Sequence, residues 1–297
     1  MNREDLVRRN SSYYGDLAWN FNTYSKGTYS WHFGVWEPGV RTEYESFLAS
    51  NRRLLRGTGV GPGSHILDAG SGYGGLATWS AMEHGCHATG ITVNPDHVND
   101  AAELAQQRGV GDLCKFHQMD MNDLSGLPDN TFDLVTNQET FNYATDKVEY
   151  FKGLRRVLKP GGVWRGIVMT VMEGDLTPDQ LKERERACEG WHMMPLMRAS
   201  EIKAAALEAG LGNFQLNEIT PLIYFHATQL EYMGHVSEFL FRVGAGLLIR
   251  DPERRSNIRG HFLGGLGYGR GIRRGLFRHM ELSATKIDPP TAALPGA

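Results

Sequence analysis

The sequence predicts an α/β fold with a parallel sheet, and two observations carry that expectation. From His65 onward, short apolar runs alternate with helical stretches in the manner of βαβ units. The first apolar run, HILDAG (65–70), opens into a glycine-rich turn, GSGYGG, which ends a strand and starts a helix. No internal repeat is seen along the chain.

The elements follow in order. After the first strand comes HATGITV (87–93), then a helix from about Pro95 to Gln107. CKFHQMD (114–120) and FDLVTNQ (132–138) read as the third and fourth strands, a helix runs from near Asp146 to Val157, and VWRGIVMT (163–170) is the fifth strand. Residues 174 to about 210 read as helical and able to cap the sheet, and LGNFQLNEITPL (211–222) as a further strand. A basic helix is expected from about 226 to 255, and the glycine-rich run GHFLGGLGYGRGIRRG (260–275) reads as a loop or helix–helix junction. LFRHMELSATKI (276–287) alternates as a closing strand. The organisation expected is therefore a helical, aromatic segment over 1–55 that covers the active site, a core over 56–173, a cap with the remaining core strands over 174–287, and a frayed tail over 288–297.

Bulk properties narrow the function. Hydrophobic residues are 41% and charged residues 22% of the 297, an ordinary globular balance. A net charge of -3 gives no basic excess for nucleic acid. Cys86, Cys114 and Cys188 are odd in number and form neither a disulfide framework nor a metal spacing, so a reducing cytoplasm is the simplest location. The first residues, MNREDLVRRNSSYYGD, lack a signal peptide's apolar run, and no segment is long and apolar enough for a membrane span. The oligomeric state is left open, a homo-oligomer included.

The glycine turn selects the ligand. A dinucleotide site also uses such a turn, but there the acid follows the glycines, whereas here Asp68 precedes Gly70, Gly72 and Gly74. This D-x-G-x-G-x-G after a strand resembles the first motif of class I S-adenosylmethionine-dependent methyltransferases. Asp120-Met121 after the third strand, PDNTFDLV before the fourth and LRRVLKPGG (154–162) before the fifth agree with it. The resemblance covers roughly half the chain. It implies a Rossmann-like seven-stranded class I methyltransferase core, with an N-terminal helical segment and a helical cap. It implies S-adenosylmethionine as cofactor and S-adenosylhomocysteine as product, with Asp68, Gly70 and Gly72 on the methionine moiety and ribose, and Asp120 and Met121 on the adenine. Asn137, in the fourth strand, is taken as a further contact to the cofactor.

One position departs from the common pattern. The acid that usually ends the second strand is replaced by Thr92 in GITVNPDH, with Asn94 and His97 nearby as cofactor contacts. Thr92 can bond a ribose hydroxyl without the charge-assisted strength of a carboxylate. His97 is a second ribose partner or a solvated histidine of the first helical turn. The GIT sequence resembles the branch holding cyclopropane synthases, sterol methyltransferases and prenyl-diphosphate C-methyltransferases. The segment YYGDLAWNFNTYSKGTYSWHFGVW resembles the sterol-methyltransferase N-terminus and implies that Tyr29 and Ser30 contact the cofactor carboxylate; the same aromatics also suit plain packing.

The acceptor site is expected after the fourth strand, in TNQETFNYATD (136–146), since loops at the carboxyl ends of parallel strands bind ligands in such folds. This segment resembles N-N-E-S-T-M-Y of geranyl-diphosphate C-methyltransferases, which implies that Glu139 is the catalytic base; capping the next helix is the other role open to it. The chemistry implied is methyl transfer to an alkene carbon of an apolar isoprenoid, a short prenyl diphosphate first of all, with any Mg²⁺ held by the diphosphate and water. A prenylated natural product, a sterol or a fatty acyl chain are alternatives, as is N- or O-methylation of a small molecule. An alkene acceptor leaves a carbocation that needs ring faces around it and a carboxylate within reach. Candidates for the substrate site are Tyr24, Trp31, Phe141, Tyr143, Glu173, Trp191 and Tyr224, with Phe21 and Phe225 also aromatic and Met169, Met172, Met193, Met194 and Met197 as adaptable lining. Glu173 and Glu189 are alternative bases. For a diphosphate, Arg8, Arg9, Asn22, Tyr24, Lys26, Arg198, Arg242, Arg270, Arg273 and Arg274 are candidate donors, or else they form a solvated basic surface.

Overall fold

The computed structural model describes residues 3–25 and 27–287. The expectations for Lys26, for the tail 288–297 and for the side chains of Phe21 and Asn22 lie outside the described residues.

Seven strands form one sheet: β1 (His65–Ala69), β2 (His87–Thr92), β3 (Cys114–Gln118), β4 (Phe132–Gln138), β5 (Leu158–Val171), β6 (Leu211–Glu218) and β7 (Phe277–Lys286). Their order is β3-β2-β1-β4-β5-β7-β6. The first five run parallel, and β7 lies antiparallel between β5 and β6. The central strands are buried on both faces, so neighbouring residues feed opposite cores: Ile66 packs on one side of the sheet and Leu67 on the other; the edge strands β3 and β6 are largely exposed. β5 begins five residues earlier than VWRGIVMT suggests, because Leu158 already pairs with Phe132 before the Pro160–Gly162 turn.

The order turns back between β1 and β4, and at such a switch point the two carboxyl-terminal loops diverge to leave a crevice. Asp68 on β1 pairs with Thr136 on β4. The glycine turn after Ala69 and the Glu139 loop after Gln138 therefore emerge side by side. Asn137 and Thr140 tie them together, each donating to the Ala69 carbonyl, at 2.9 and 2.6 Å.

The helices form where their caps indicate. α1 is Arg3–Tyr24, α2 Glu43–Leu55, α3 Gly75–His84, α4 Pro95–Gln107 and α5 Lys147–Val157. Thr42 and Glu45 make a reciprocal capping box on α2. Asn94 caps α4 with Pro95 in its first turn, and Asp146 caps α5. The cap region holds α6 (Pro178–Gly190), α7 (Ala199–Glu208), α8 (Tyr224–Arg242) and α9 (Pro252–Arg273).

Two expectations are corrected here. The basic stretch 226–255 is not one helix: Gly244, at φ 88°, breaks it, and Asp251 with Pro252 starts the next. The glycine-rich run 260–275 is not a loop but most of α9. Its glycines cost helix propensity, yet they are where other elements approach. A Cβ on Gly264 would lie 3.0 Å from the Trp191 ring, and one on Gly269 would lie 2.4 Å from the Ala227 carbonyl oxygen. Gly190, at the end of α6, faces the backbone of α9: a Cβ there would lie 2.4 Å from the Gly260 carbonyl oxygen. Gly190→Ala is therefore expected to lower stability by about 1–3 kcal/mol through overpacking. Urea unfolding checks this as a lower midpoint with an unchanged slope; an unchanged midpoint would show that the helices separate freely.

Among the described residues, no helix is long and apolar enough to cross a membrane.

Candidate active site

Two cavities meet above the carboxyl ends of β1 and β4. The first spans about 1020 Å³, part of it open to solvent, and follows the glycine turn. Asp68, Gly70, Ser71 and Gly72 form its floor, Thr92 and His97 one side, and Met119 to Asn122 another. Tyr29, Ser30, Trp31 and His32 cover it. This cover lies directly on the turn, since a Cβ on Gly75 would come within 2.4 Å of the Tyr29 carbonyl oxygen. Tyr29 adopts φ 58°, a left-handed conformation uncommon for a side-chain-bearing residue.

The chemistry of this cavity suits a ligand that is part polar and part apolar. Asp68 is buried and accepts a bond from the Thr136 hydroxyl at 3.2 Å; desolvation pushes its carboxyl up to about 7. Three buried polar atoms in the lining residues, Asn10 Oδ1, His32 Nε2 and Ser71 Oγ, have no hydrogen-bond partner among the described residues. Buried polar atoms are rarely left so, and a ligand amine, carboxylate or hydroxyl would satisfy them. His97 is buried, packs against Tyr73 with ring centroids 4.1 Å apart and the planes tilted by 37°, and is held down to about 4 by desolvation. It is thus a neutral wall residue rather than a solvated one. These groups fit S-adenosylmethionine: Asp68, Asn10 and Ser71 for its polar end, Thr92 and His97 near its ribose, and Met119, Met121 and Val93 around an apolar ring.

The second cavity spans about 1010 Å³, part of it open to solvent. Tyr13, Tyr14, Trp31, Phe33, Tyr143 and Trp191 give it ring faces, and Met169, Met193, Leu230 and Met233 give it adaptable apolar ones. Tyr14, Trp31, His32 and Tyr143 line both cavities and so form the partition between them. The Tyr14 hydroxyl donates to that of Tyr143 at 3.1 Å, which donates onward to the Trp191 carbonyl at 3.0 Å. Tyr13 and His261 Nδ1 are 2.6 Å apart, and burial holds His261 down to about 4, so its ring is neutral.

Glu139 projects into this second cavity and is buried. Its φ of 61° lies in the left-handed region, a conformation that costs on the order of 1 kcal/mol or more for a residue with a Cβ. The strain is held by its backbone N–H, which donates to the Ile167 carbonyl at 2.8 Å, and by the carboxylate itself. Oε1 accepts from the Phe33 N–H at 2.8 Å and lies 3.1 Å from His279 Nε2. On the other side of the ring, His279 Nδ1 lies 3.0 Å from the Tyr268 hydroxyl, so the imidazole bridges Glu139 and Tyr268. His279 and Tyr268 are both fully buried. Both of these bonds fall on Oε1, and no hydrogen bond reaches Oε2 from the described residues. Lys147, buried beneath the loop, donates to the Phe141 and Ala144 carbonyls and fixes its far end.

The structure gathers most of the sequence-expected residues. Tyr29, Ser30, Asp68, Gly70, Gly72, Thr92, His97, Asp120 and Met121 line the first cavity, and Tyr24, Trp31, Glu139, Tyr143 and Trp191 the second. Five others stand elsewhere. Asn94 spends its side chain on the Asp96 N–H as the α4 cap. Asn137 is consumed internally, donating to Ala69 and Thr140 and accepting from Tyr150 and Trp164. Phe141 is buried among Tyr150, Phe151 and Trp164. Glu173 is exposed and caps α7 through Ser200, whose bonds hold its carboxyl below the usual range. Tyr224 is exposed on α8. Glu189 and Phe225 are likewise exposed, which leaves Glu139 and Glu43 as the carboxylates of the second cavity.

Several lining residues carry no local signal. His261, Gln229 and Phe262 come from the cap helices, and Asn10 and Tyr14 from α1. Only Tyr14 could have been found, through the tyrosine pair of the N-terminal resemblance.

Residues 67–165 match the methyltransferase domain family. A sterol 24-C-methyltransferase of Gibberella zeae is 35% identical over 141 residues, covering 48% of this chain and 35% of that protein. An erythromycin 3''-O-methyltransferase of Saccharopolyspora erythraea is 31% identical over 153 residues, covering 51% of this chain and 47% of that protein. The chain thus spans about a third to a half of the length of these curated relatives. The solved structure of a geranyl diphosphate methyltransferase in complex with GPP and sinefungin superposes with a TM-score of 0.74 at 17% identity, covering 95% of this chain and 100% of that one. At that identity it is the fold that is shared.

Proposed function

We propose that this protein, whose residues 67–165 are a methyltransferase domain on a class I S-adenosylmethionine-dependent fold, is a C-methyltransferase that acts on an alkene carbon of an apolar, isoprenoid-like acceptor. One observation carries the reading: a buried carboxylate, Glu139, stands in a ring-walled cavity that shares a partition with the cofactor cavity. S-adenosylmethionine supplies an electrophilic methyl group on a sulfonium. The chain's own residues do the rest. Tyr14, Trp31, Tyr143 and Trp191 present ring faces to the positive charge left on the acceptor and keep water from it. Glu139 then takes a proton from the neighbouring carbon through Oε2, while Phe33 and His279 hold Oε1. Tyr268 fixes the His279 ring and is a positioning residue.

The headgroup is read as neutral. A diphosphate calls for cationic donors at one end of the cavity. Among the described residues the lining holds Glu43 and Glu139 and no lysine or arginine. Most of the described basic side chains considered for that task face acids instead: Arg8 pairs with Asp5, Arg198 with Glu201, Arg242 with Glu238, Arg270 and Arg273 with Glu231, and Arg274 with Glu183; Arg9 lies near His192, whose ring packs on Tyr13 of the cavity. The proposed acceptors are therefore a prenylated neutral compound, a sterol or an unsaturated chain, ahead of a prenyl diphosphate. The geranyl diphosphate methyltransferase likeness speaks for the fold and the sterol methyltransferase likeness for the branch.

Transfer to a hydroxyl is the second reading, and it too has an observation in its favour. His32 lines both cavities, its Nδ1 donates to the Phe33 carbonyl at 2.9 Å, and Nε2 has no partner among the described residues. Mass spectrometry of products from a panel of neutral isoprenoids, sterols, prenyl diphosphates and hydroxylated compounds separates the readings. Turnover of a neutral alkene that persists in EDTA is expected. Turnover confined to diphosphates and lost on chelation would restore the diphosphate acceptor.

The cofactor side has its own test. Asp120 faces the first cavity and also accepts from the Asn122 backbone and side chain, both at 2.9 Å. Asp120→Ala is expected to weaken S-adenosylmethionine binding by about 1–2 kcal/mol, one hydrogen bond with some loosening of the loop. Titration calorimetry reads this as a roughly 5–30-fold higher Kd; an unchanged value would remove Asp120 from the adenine contacts.

A further inference from the structure

We infer that the exposed apolar surface made by α1, α8 and the turn before α9 docks on an anionic lipid surface, from which the acceptor passes into the second cavity. The inference rests on the reading of that cavity as the acceptor site. A groove of about 1650 Å³, open to solvent, runs between these elements and is lined by Trp19, Tyr232, Met233, Leu240, Leu248 and Phe262 among others. Met233 and Phe262 line the second cavity as well, so the groove lies against it with these two side chains between them, and in this proposal it serves as the mouth.

The surroundings of the mouth are unusually apolar. Leu248 is 85% exposed, Leu247 74%, Tyr232 70%, Phe239 63% and Val243 62%. Tyr232 and Leu248 line the groove, and Phe239, Val243 and Leu247 lie on the same α8-to-α9 stretch; scattered exposed leucines need no explanation, but so many large apolar side chains on one stretch mark an interaction surface. Trp19 and Tyr232 add the amphipathic rings that suit the boundary between headgroups and acyl chains.

Charge identifies the occupant. Residues 232–259 hold five arginines against three carboxylates, a positive balance within a chain whose net charge is -3. Arg250, Arg254 and Arg259 are exposed, and Arg250 and Arg254 line the groove itself together with Asp251, whose side chain caps α9. An apolar patch rimmed by arginine matches a bilayer with anionic headgroups. A second copy of this chain fits less well. A two-fold contact would set one arginine rim against the other and would close the mouth through which an apolar acceptor enters.

Sedimentation with vesicles tests this, using phosphatidylcholine alone and phosphatidylcholine mixed with phosphatidylglycerol. The protein is expected to sediment with the mixed vesicles and to be released by salt. Leu247 and Leu248 are too exposed to support the fold, so a variant carrying Leu247→Asp and Leu248→Asp should bind S-adenosylmethionine as the parent does. Its partition to mixed vesicles should fall about tenfold or more. Absence of vesicle binding by the parent overturns the inference. So does self-association of the parent that the double substitution abolishes, because the patch would then be an interface between copies. Vesicle binding without methylation of any alkene would leave the docking surface standing and remove the acceptor reading instead.

Discussion

Glu139→Gln is expected to slow turnover by roughly 10²–10⁴-fold while S-adenosylmethionine binds as before. Glutamine keeps the size of the side chain and can still accept from the Phe33 N–H and His279 through its carbonyl oxygen. It places an amide where Oε2 stands and so cannot take a proton. Glu139 is absent from the first cavity's lining, so the cofactor has no reason to sense the change. A cation that loses its base has other exits, and the variant should also release altered double-bond isomers or a water-quenched alcohol. Steady-state rates with product analysis read both effects. Normal turnover would pass proton removal to Glu43, the other carboxylate of the cavity, or to solvent.

Gly70→Val is expected to raise the Kd for S-adenosylmethionine by roughly 10²-fold or more, in a protein that still folds. Gly70 sits at φ 99°, which a β-branched residue avoids. A Cβ there would also lie 2.4 Å from the Thr140 side chain. Thr140 donates to the Ala69 carbonyl and so joins the two loops that form the crevice. Backbone strain of about 1–3 kcal/mol and overpacking of similar size act on the same turn, and each 1.4 kcal/mol is tenfold in affinity. The parallel core should survive, because the turn lies beyond the last residue of β1. Titration calorimetry measures the affinity and circular dichroism the fold; a folded variant with parental affinity would show that the cofactor does not lie on this turn.

The same two loops show how far the sequence was legible. Where a signal is local, the element follows from it: α4 occupies Pro95–Gln107 because Asn94 caps it and Pro95 opens it, and β4 occupies Phe132–Gln138 as a short apolar run after a turn. The cofactor turn is equally local, since its acid and glycines adjoin in sequence. The acceptor site is not. Phe141 and Tyr143 are two residues apart and both aromatic, yet the short 3₁₀ turn that holds them sends one into the core and the other into the cavity. Asn137 has the chemistry of a ligand contact, but two donors and two acceptors from the fold already surround it. His279 reaches Glu139 across 140 residues of chain, and His261 reaches Tyr13 across 248. No spacing encodes such pairs. The misreading of 260–275 has the same root: glycine content signals a loop locally, whereas the close approach of α6, α8 and Trp191 to α9 is a tertiary fact.

The account turns on the atom that receives the methyl group. Transfer of a trideuterated methyl from labelled S-adenosylmethionine, followed by NMR of the purified product, identifies that atom directly. The account predicts the label on a carbon of the former double bond, with one proton lost from the neighbouring carbon. A label on oxygen or nitrogen, with the double bond intact, would contradict it and would make His32 rather than Glu139 the group to examine.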